Sequence, residues 1–219
     1  MRKSFIFTLL LFPFLLTAQS IALDYGNSSS SFIYKDSNGE KLNNLKNKWG
    51  QLLNIKYIRQ LNNKINVGVG LNKNEYGAES LDSENNLKWD MSYFGVNLGF
   101  DYKIELCKTK KDTLSKSYKD LALILNTNFS HSWLTKGSQQ IDNRIYDLSE
   151  FDGGFSNLTR IQVGLGFLYG LNEHTSINLR YSINRGLTNM ETNGQELFII
   201  AHHILFGVII DLKQNKNNK

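Results

Sequence analysis

The chain has 219 residues, of which 41% are hydrophobic, and a formal net charge of +5. After the N-terminal segment no apolar run approaches the ~18–20 residues of a spanning helix, so the rest of the chain is not an α-helical membrane protein. The single cysteine, Cys107, excludes an internal disulfide scaffold. Two positive charges lie in the first three residues and the others are segregated along the chain, so we expect a solvated surface and no nucleic-acid partner.

The N-terminus predicts export. Arg2 and Lys3 precede an apolar run from Phe5 to Leu16, and Thr17-Ala18-Gln19 follows that run. A charged start, an apolar segment of roughly 7–15 residues and a small residue at its end are the parts of a secretory signal peptide. We therefore expect residues 1–18 to be a cleaved signal peptide and the folded domain to begin at residue 19.

Eight further segments alternate apolar and polar residues, as strands with one apolar and one polar face do. The alternation is strictest in the hairpin LTRIQVGLGFLYG-LNEH-TSINLRYSIN, and weakest in the first strand, where residues 26–31 carry almost no apolar signal. The predicted strands are Ile21 to Tyr34, Trp49 to Ile58, Ile65 to Asn72, Trp89 to Ile104, Leu121 to Trp133, Leu158 to Gly170, Thr175 to Asn184 and Leu197 to Leu212.

The connections between these strands alternate in length. Those after strands two and six are a few residues long, whereas those after strands one, three, five and seven are longer and polar. The connection after strand four, Glu105 to Asp120, breaks this pattern and is rich in lysine. Short turns at one end and long loops at the other are typical of transmembrane β-barrels. With the N-terminus in the periplasm, the acidic long loops face outward and the basic connection faces inward.

These patterns together predict an all-β chain: a single eight-stranded antiparallel up-and-down transmembrane β-barrel over residues 19–213. Most strands present about 4–5 outward apolar residues, which matches a tilted span of ~9–11 residues. A disordered periplasmic tail is expected at residues 214–219. Aromatic residues near the strand ends are expected to form interface girdles; they are Trp49, Tyr57, Trp89, Tyr102, Trp133 and Tyr169.

The signal peptide, the eight amphipathic strands and the apolar final strand FIIAHHILFGVIIDL resemble the small outer-membrane β-barrel proteins of Bacteroidota, the "porin family" of OmpA- and OmpX-like barrels. The resemblance covers the whole mature chain and implies residence in the cell outer membrane. It also implies contact with outer-membrane lipid and lipopolysaccharide. The family usually ends at an aromatic residue, whereas a polar tail from Lys213 to Lys219 follows the last strand here.

The polar faces of the predicted strands define a barrel interior. An eight-stranded barrel is just wide enough to be filled by its own side chains. The charged members of the interior set are Lys56, Asp101, Arg160, Arg180 and Asp211. Because buried charges persist when they are paired, we expect these side chains to form a hydrogen-bonded polar plug rather than a selective pore.

The long loops carry the candidate interaction surface, foremost the segment from Thr135 to Asn157. Its acidic residues are Asp142, Asp147, Glu150 and Asp152. They are predicted to lie outside the cell, where a solvated loop is the simplest interpretation. A partner for this surface would be divalent cations bridging lipopolysaccharide phosphates, or an extracellular or envelope protein.

No catalytic, metal-binding or cofactor site is predicted. His202 and His203 are adjacent, and so are His131 and Ser132, so on a strand the members of each pair face opposite sides. A lipid-modifying enzyme would need His131 or His202 with Ser130 and a carboxylate such as Glu196, and nothing in the spacing demands that arrangement.

The sequence therefore favours a non-enzymatic envelope role, structural or interactive, through the outer loops. Three alternatives stay open at this point: a narrow solute channel, a lipid-modifying outer-membrane enzyme, and a soluble periplasmic binding barrel of lipocalin type. The last alternative inverts the assignment of the two faces, with an apolar interior and a polar exterior. The many glycines and small polar residues on one face, too small to form a core, favour the membrane barrel.

Overall fold

The computed structural model describes residues 20–35, 39–41, 45–80, 87–107, 120–141, 144–150, 155–188, 190–192 and 195–212. The predicted signal peptide, the lysines of residues 108–119 and the predicted tail at residues 214–219 lie outside the described residues, as do Asp142 and Asp152. Within the described residues, no helix is long and apolar enough to cross a membrane.

Ten strands are described, and eight of them form the barrel. The barrel strands are β1 (Ser20–Lys35), β2 (Leu45–Gln60), β3 (Ile65–Ser80), β4 (Leu87–Cys107), β5 (Leu121–Ile141), β7 (Asn157–Gly170), β8 (Thr175–Gly186) and β10 (Gln195–Asp211). Two short strands, β6 (Arg144–Asp147) and β9 (Met190–Thr192), pair with the upper parts of β5 and β10. The sequence pattern did not predict these two.

The sheet closes on itself. Each barrel strand pairs antiparallel with the next one along the chain, and β1 pairs with β10 from Ser20↔Asp211 to Lys35↔Glu196. The predicted eight-stranded antiparallel up-and-down barrel is confirmed. A closed barrel has no free edge, so its backbone hydrogen bonds are satisfied between strands, as a membrane interior requires.

The two faces of the barrel have opposite chemistry. Outward positions carry large apolar side chains with substantial exposure, for example Leu98, Val163 and Phe206, whereas Asn97, Gln162 and Gly207 beside them face the interior. The buried interior is largely polar in the lower part of the barrel. This arrangement is the reverse of a lipocalin-type barrel, so the soluble-barrel alternative is wrong.

Several strands are longer than their apolar pattern predicted. β4 and β5 each have 21 residues, and their upper ends rise beyond the outward apolar positions, which begin at Phe94 and Trp133. The first strand is not weak: β1 has 16 residues and is paired on both sides, because its polar face is buried and its ladders do not depend on apolar side chains.

Two tight turns of one design lie at the lower end of the barrel, which carries Ser20 and Asp211. In the turn between β2 and β3 the Asn62 side-chain oxygen accepts hydrogen bonds from the backbone N–H groups of Lys64 and Ile65, each at 2.8 Å. In the turn between β7 and β8 Asn172 accepts in the same way from His174 at 2.9 Å. Both short connections are therefore as predicted.

The upper end contains an apolar core that the sequence pattern did not predict. Its buried members are Phe32, Tyr76, Ala78, Trp89, Met91, Tyr93, Leu148, Phe155, Leu158, Leu197, Ile199 and Ala201. The prediction for Trp89 was wrong: this residue is 1% exposed and packs inside the barrel against Phe32 and Tyr34, with ring centroids 6.1 and 5.5 Å away. Here the strands extend beyond the outward apolar positions, and the interior is filled by apolar side chains that bury one another from water.

Candidate functional site: the barrel interior and the upper outer surface

Four charged side chains form a balanced cluster in the lower half of the interior. Asp24 and Arg180 are buried, with the Asp24 Oδ2 atom 3.9 Å from the Arg180 Nη1 atom. The Asp101 Oδ2 atom lies 3.9 Å from Nη2 of the same guanidinium. Lys56 is also buried, and its Nζ atom donates to Asn128 Oδ1 at 3.0 Å. Two carboxylates thus face two cations, so this part of the interior carries no net charge.

Asparagine side chains connect this cluster across the barrel. Asn54 donates to Asp24 at 3.0 Å, and Asn97 donates to Asn54 at 2.8 Å. Asn178 donates to Asp24 from the other side, at 3.3 Å. Beside this cluster a cavity of about 30 Å³ remains, lined among others by Asn54, Asn97 and Arg180. That volume is about the space of one or two water molecules, so the interior here is filled by its own side chains.

The interior is also crowded at its glycines. A Cβ atom built on Gly207 would fall onto the Asp24 carboxylate and lie 2.5 Å from the Asn178 amide nitrogen. Glycine is therefore required at this position, because Asp24 and Asn178 occupy the space that a larger residue would need.

Arg160 lies higher and is held by neutral groups. The guanidinium donates to the Tyr76 hydroxyl, to Asn72 Oδ1 at 3.1 Å and to Ser132 Oγ at 2.9 Å. It also lies over the Tyr76 ring, 5.5 Å from the ring centroid. Asn184 donates to the same Tyr76 oxygen at 3.3 Å. Within the described residues no carboxylate is paired with Arg160, so Tyr76 is its main partner.

Of the five interior residues predicted from sequence, the structure gathers four into the buried interior: Lys56, Asp101, Arg160 and Arg180. The fifth, Asp211, belongs to the same face by alternation but lies at the open lower end, where its side chain is exposed. It accepts a hydrogen bond from the Ser20 hydroxyl across the β1–β10 seam. Asp211 therefore ties the two terminal strands together and is not part of the enclosed network.

The predicted outer loop between β5 and β7 contributes to the apolar core above this network. Leu148 is 1% exposed, and its backbone N–H donates to the carbonyl of Gly137 at 3.0 Å. The Tyr93 hydroxyl donates to the carbonyl of Phe155 at 3.0 Å. Leu148 and Phe155 thus cap the barrel from above. The acidic residues were the visible signal in this loop, yet its apolar residues are the ones that fix it to the barrel.

The described loop acids are exposed. Asp147 accepts hydrogen bonds from the Ser149 hydroxyl and backbone N–H, at 2.6 and 2.8 Å, and these bonds lower the pKa of the Asp147 carboxyl below its ordinary value. Glu150 is exposed in the same turn. Within the described residues, no group of three or more His, Cys, Asp or Glu side chains is placed to hold a metal ion.

The residues that a lipid-modifying enzyme would need are not brought together. Ser130 faces the interior, whereas His131 faces outward and contacts the Thr159 hydroxyl at 2.9 Å. His202 faces outward and contacts the Tyr181 hydroxyl at 2.7 Å, and Glu196 pairs with Lys35 at the upper end of β1 and β10. As predicted, the adjacent His202 and His203 face opposite sides of the wall, since His203 is buried inside.

The outer surface above the apolar positions is indented between two irregularities in the sheet. On one side, four residues of β2 (48–51) lie opposite three residues of β3 (75–77). On the other side, Thr135 is an extra residue in β5, and its hydroxyl donates to the carbonyl of Ser92 at 2.9 Å. Such bulges bend and twist a strand. The Ser30 hydroxyl closes the first gap from inside, since it exchanges hydrogen bonds of 2.7 and 2.8 Å with the backbone of Gly77.

The surface between the two bulges is a groove of about 500 Å³ on β2 to β5, which we call the outer groove. The Lys48 side chain lies against Gly77, where a larger residue would block it, and the Lys48 ammonium group pairs with the Asp90 carboxylate. Trp49 stands at the rim with 66% of its surface exposed. The outer groove is lined by Lys48, Trp49, Gly50, Glu75, Gly77, Asp90, Ser92, Thr135, Lys136, Ser138, Asp147 and Ser149, with Tyr76, Met91 and Gly137 beneath them. Sequence reasoning missed this site, because the bulges that shape it leave no periodic signal.

No protein-family model and no curated protein matches this chain. Neisserial surface protein A is a similar solved structure, with 12% identity, a TM-score of 0.47, and 89% of this chain and 97% of that chain covered. Ail, the attachment invasion locus protein of Yersinia pestis, is 12% identical with a TM-score of 0.33, covering 86% and 98%. The outer membrane protease OmpT from Escherichia coli is 13% identical with a TM-score of 0.38, covering 90% and 98%.

At these scores the similarities carry no argument, and the fold assignment rests on the ladders and faces described above. A closed antiparallel barrel of eight strands with an apolar exterior is the architecture of the outer-membrane β-barrels. An exterior with so many exposed apolar side chains is unfavourable in water, and it is suited to contact with the hydrocarbon interior of a bilayer. The chain is an integral outer-membrane β-barrel.

Proposed function

We propose that this protein is a non-enzymatic component of the bacterial envelope, with a structural or interaction role carried by the upper end of its barrel. Its expected partners are outer-membrane lipid and lipopolysaccharide, and an extracellular or envelope protein that contacts the outer loops. Export by the N-terminal signal peptide and origin among the OmpA- and OmpX-like barrels of Bacteroidota belong to the same proposal, on the strength of the sequence resemblance.

One observation carries the proposal: the interior is filled at two levels. The charge-balanced network around Asp24 and Arg180 occupies the lower half and leaves a cavity of about 30 Å³. The apolar core, with Leu148 and Phe155 at its top, closes the upper half. A solute path would have to cross both, and this argues against the narrow channel. A barrel without a passage is suited to support the membrane or to present a surface.

Conductance measurement tests the proposal. The folded barrel, inserted into planar lipid bilayers at 1 M KCl, is expected to give no discrete current steps above the leak of the bare bilayer. An open porin measured in the same chamber is the positive control. Regular single-channel steps from this protein would overturn the sealed-barrel proposal in favour of the channel.

The enzymatic alternative has its own readout. Overproduction of the protein is expected to leave the mass spectrum of the cell's lipid A unchanged, because His131 and His202 face outward whereas Ser130 faces the interior. Loss or transfer of an acyl chain or phosphate that depends on His131 or His202 would establish an enzyme instead.

A further inference from the structure

The outer groove has the composition of a site for a hydroxyl-rich ligand. Its lining offers the carboxylates Glu75, Asp90 and Asp147 as acceptors and the ammonium groups of Lys48 and Lys136 as donors. Three negative and two positive charges nearly balance, which does not favour a purely anionic or cationic ligand. Sugars carry many hydroxyl groups, each of which both donates and accepts, and a lining of interspersed donors and acceptors satisfies them.

The hydroxyl side chains of the outer groove add to this pattern. Ser138 on β5 and Ser149 on the adjoining turn face outward, whereas the Ser92 hydroxyl is buried. Lys136 adds an exposed cation to the outer groove, and within the described residues no carboxylate is paired with it. Polar groups placed around a concave surface of this kind fix the orientation of a ligand and supply its specificity.

Trp49 gives the outer groove an apolar wall. Its indole, predicted for the interface girdle, is exposed at 66% and stands at the rim of the outer groove. Within the described part of the chain no other aromatic ring packs against the Trp49 indole. The flat C–H face of a sugar ring fits an exposed indole while the ring's hydroxyls reach the polar groups. The volume of about 500 Å³ falls within the ordinary size range of small-molecule sites.

The position of the outer groove indicates where the sugar comes from. Ser92 lies two residues above the outward Phe94, and Thr135 two residues above the outward Trp133. Two residues of a strand correspond to about 7 Å. The outer groove therefore opens directly above the apolar surface that contacts lipid chains, at the level where the sugars of a neighbouring outer-leaflet glycolipid are attached.

We propose that the outer groove binds the core saccharide of lipopolysaccharide, with Trp49 against a sugar ring and Lys136, Asp147 and the serine hydroxyls bonded to its hydroxyl groups. This inference rests on the proposed outer-membrane location with its upper end outward. It adds a specific saccharide site to the general contact with membrane lipid.

Calorimetric titration tests it. The folded full-length barrel in detergent is titrated with the core oligosaccharide released from the producing bacterium's lipopolysaccharide by mild acid, and separately with the lipid A that the same cleavage leaves. Trp49→Ala and Lys136→Ala are each expected to weaken oligosaccharide binding about tenfold or more. Trp49→Phe, which keeps an aromatic ring, is expected to stay within about threefold of the unmodified protein.

Matched controls lie on β8, across the barrel from the outer groove. Tyr181→Ala removes an exposed outward aromatic ring, and Arg185→Ala removes an exposed outward cation. Both are expected to bind the oligosaccharide within about twofold of the unmodified protein. Every variant is first shown to migrate faster unboiled than boiled, so that a loss of binding is a property of a folded barrel.

Three outcomes would overturn the inference: no oligosaccharide binding by the unmodified folded protein, equal binding by Trp49→Ala and Lys136→Ala, or binding of lipid A alone with equal affinity. The last would assign the surface to acyl chains or phosphates instead. A negative titration would overturn the saccharide site only, and the proposed non-conducting barrel would still stand if the conductance is zero. A conducting barrel would overturn the proposed function while the titration still reported on the outer groove.

Discussion

Removal of the Asp24 carboxylate is the sharpest test of a sealed interior. Asp24 accepts hydrogen bonds from Asn54 at 3.0 Å and Asn178 at 3.3 Å, and lies 3.9 Å from the Arg180 guanidinium. At an effective dielectric constant of about 20, unit charges 3.9 Å apart attract by about 4 kcal/mol. In bulk water the same pair would gain only about 1 kcal/mol. The cost of Asp24→Ala thus distinguishes a dry plug from a hydrated pore.

For a sealed interior, Asp24→Ala is expected to lower the free energy of unfolding by about 3–5 kcal/mol, since it leaves Arg180 in a cluster with one excess positive charge. The double variant Asp24→Ala/Arg180→Met restores the balance between Lys56 and Asp101. It is expected to recover about 1–3 kcal/mol of that loss. The exposed pair Lys73–Glu75 supplies the control, since Lys73→Ala should cost less than about 1 kcal/mol.

The assay is urea unfolding of the barrel in detergent micelles, followed by the electrophoretic mobility shift between folded and unfolded forms. Unfolding and refolding curves must coincide for the free energies to be compared. A loss below about 1 kcal/mol for Asp24→Ala, or a double variant no more stable than the single one, would refute the reasoning and indicate water around the Asp24–Arg180 pair.

Four further predictions concern single positions. Tyr76→Phe removes the hydroxyl that accepts from Arg160 and is expected to cost about 1.5–3 kcal/mol in the same urea assay; a change below about 0.5 kcal/mol would show that Arg160 does not depend on it. Gly207→Ala pushes a methyl group into the Asp24 carboxylate and is expected to cost about 1–3 kcal/mol, whereas Gly170→Ala, whose new Cβ has no neighbour nearer than 3.8 Å, should be close to neutral; equal costs would contradict the crowding argument. Leu148→Ala is expected to loosen the cap, seen as faster amide exchange and proteolysis in residues 134–158, while the conductance stays at zero because the lower network still fills the barrel; unchanged exchange would remove Leu148 from the cap. Ser149→Ala is expected to raise the pKa of Asp147 towards its ordinary value, measured by NMR titration, because the hydroxyl that lowers it is lost.

The lowered pKa of Asp147 in the folded turn determines how the stability of that turn depends on pH. Its contribution to the local stability of that turn is present above the ordinary carboxyl pKa and is lost as the pH falls through the folded value. Above neutral pH the turn should therefore be unaffected by small pH changes. An unchanged Asp147 pKa in Ser149→Ala would contradict the assignment of the Ser149 hydrogen bonds.

Much of the fold could be predicted because each strand of a membrane barrel alternates outward apolar residues with inward polar residues. That rule locates all eight barrel strands and assigns Lys56 and Arg180 to the interior. Its signal is weakest in β1, because serine and asparagine occupy both faces over residues 26–31.

The upper end of the barrel escaped prediction for a physical reason. Trp89 was assigned to the outer girdle by its position near a strand end, yet alternation from Met91 and Tyr93 places it inside. The apolar positions of the upper interior have the same period as the outward apolar positions below, displaced by one residue, and a periodicity argument cannot separate them without knowing where the membrane ends. The bulges beside Gly50 and Thr135, which shape the outer groove, are likewise invisible to a periodic pattern.

Spin labels measure most directly which face of the barrel wall meets lipid. In a Cys107→Ser background, single nitroxides at Leu98 and Val163 report on the outward face of β4 and β7, and nitroxides at Trp49 and Ile145 report on the upper surface. In outer-membrane vesicles we expect the first pair to collide more often with oxygen than with a water-soluble nickel complex, and the second pair to show the reverse. Nickel accessibility at Leu98 and Val163 equal to that at Ile145 would contradict a barrel whose apolar exterior spans the membrane.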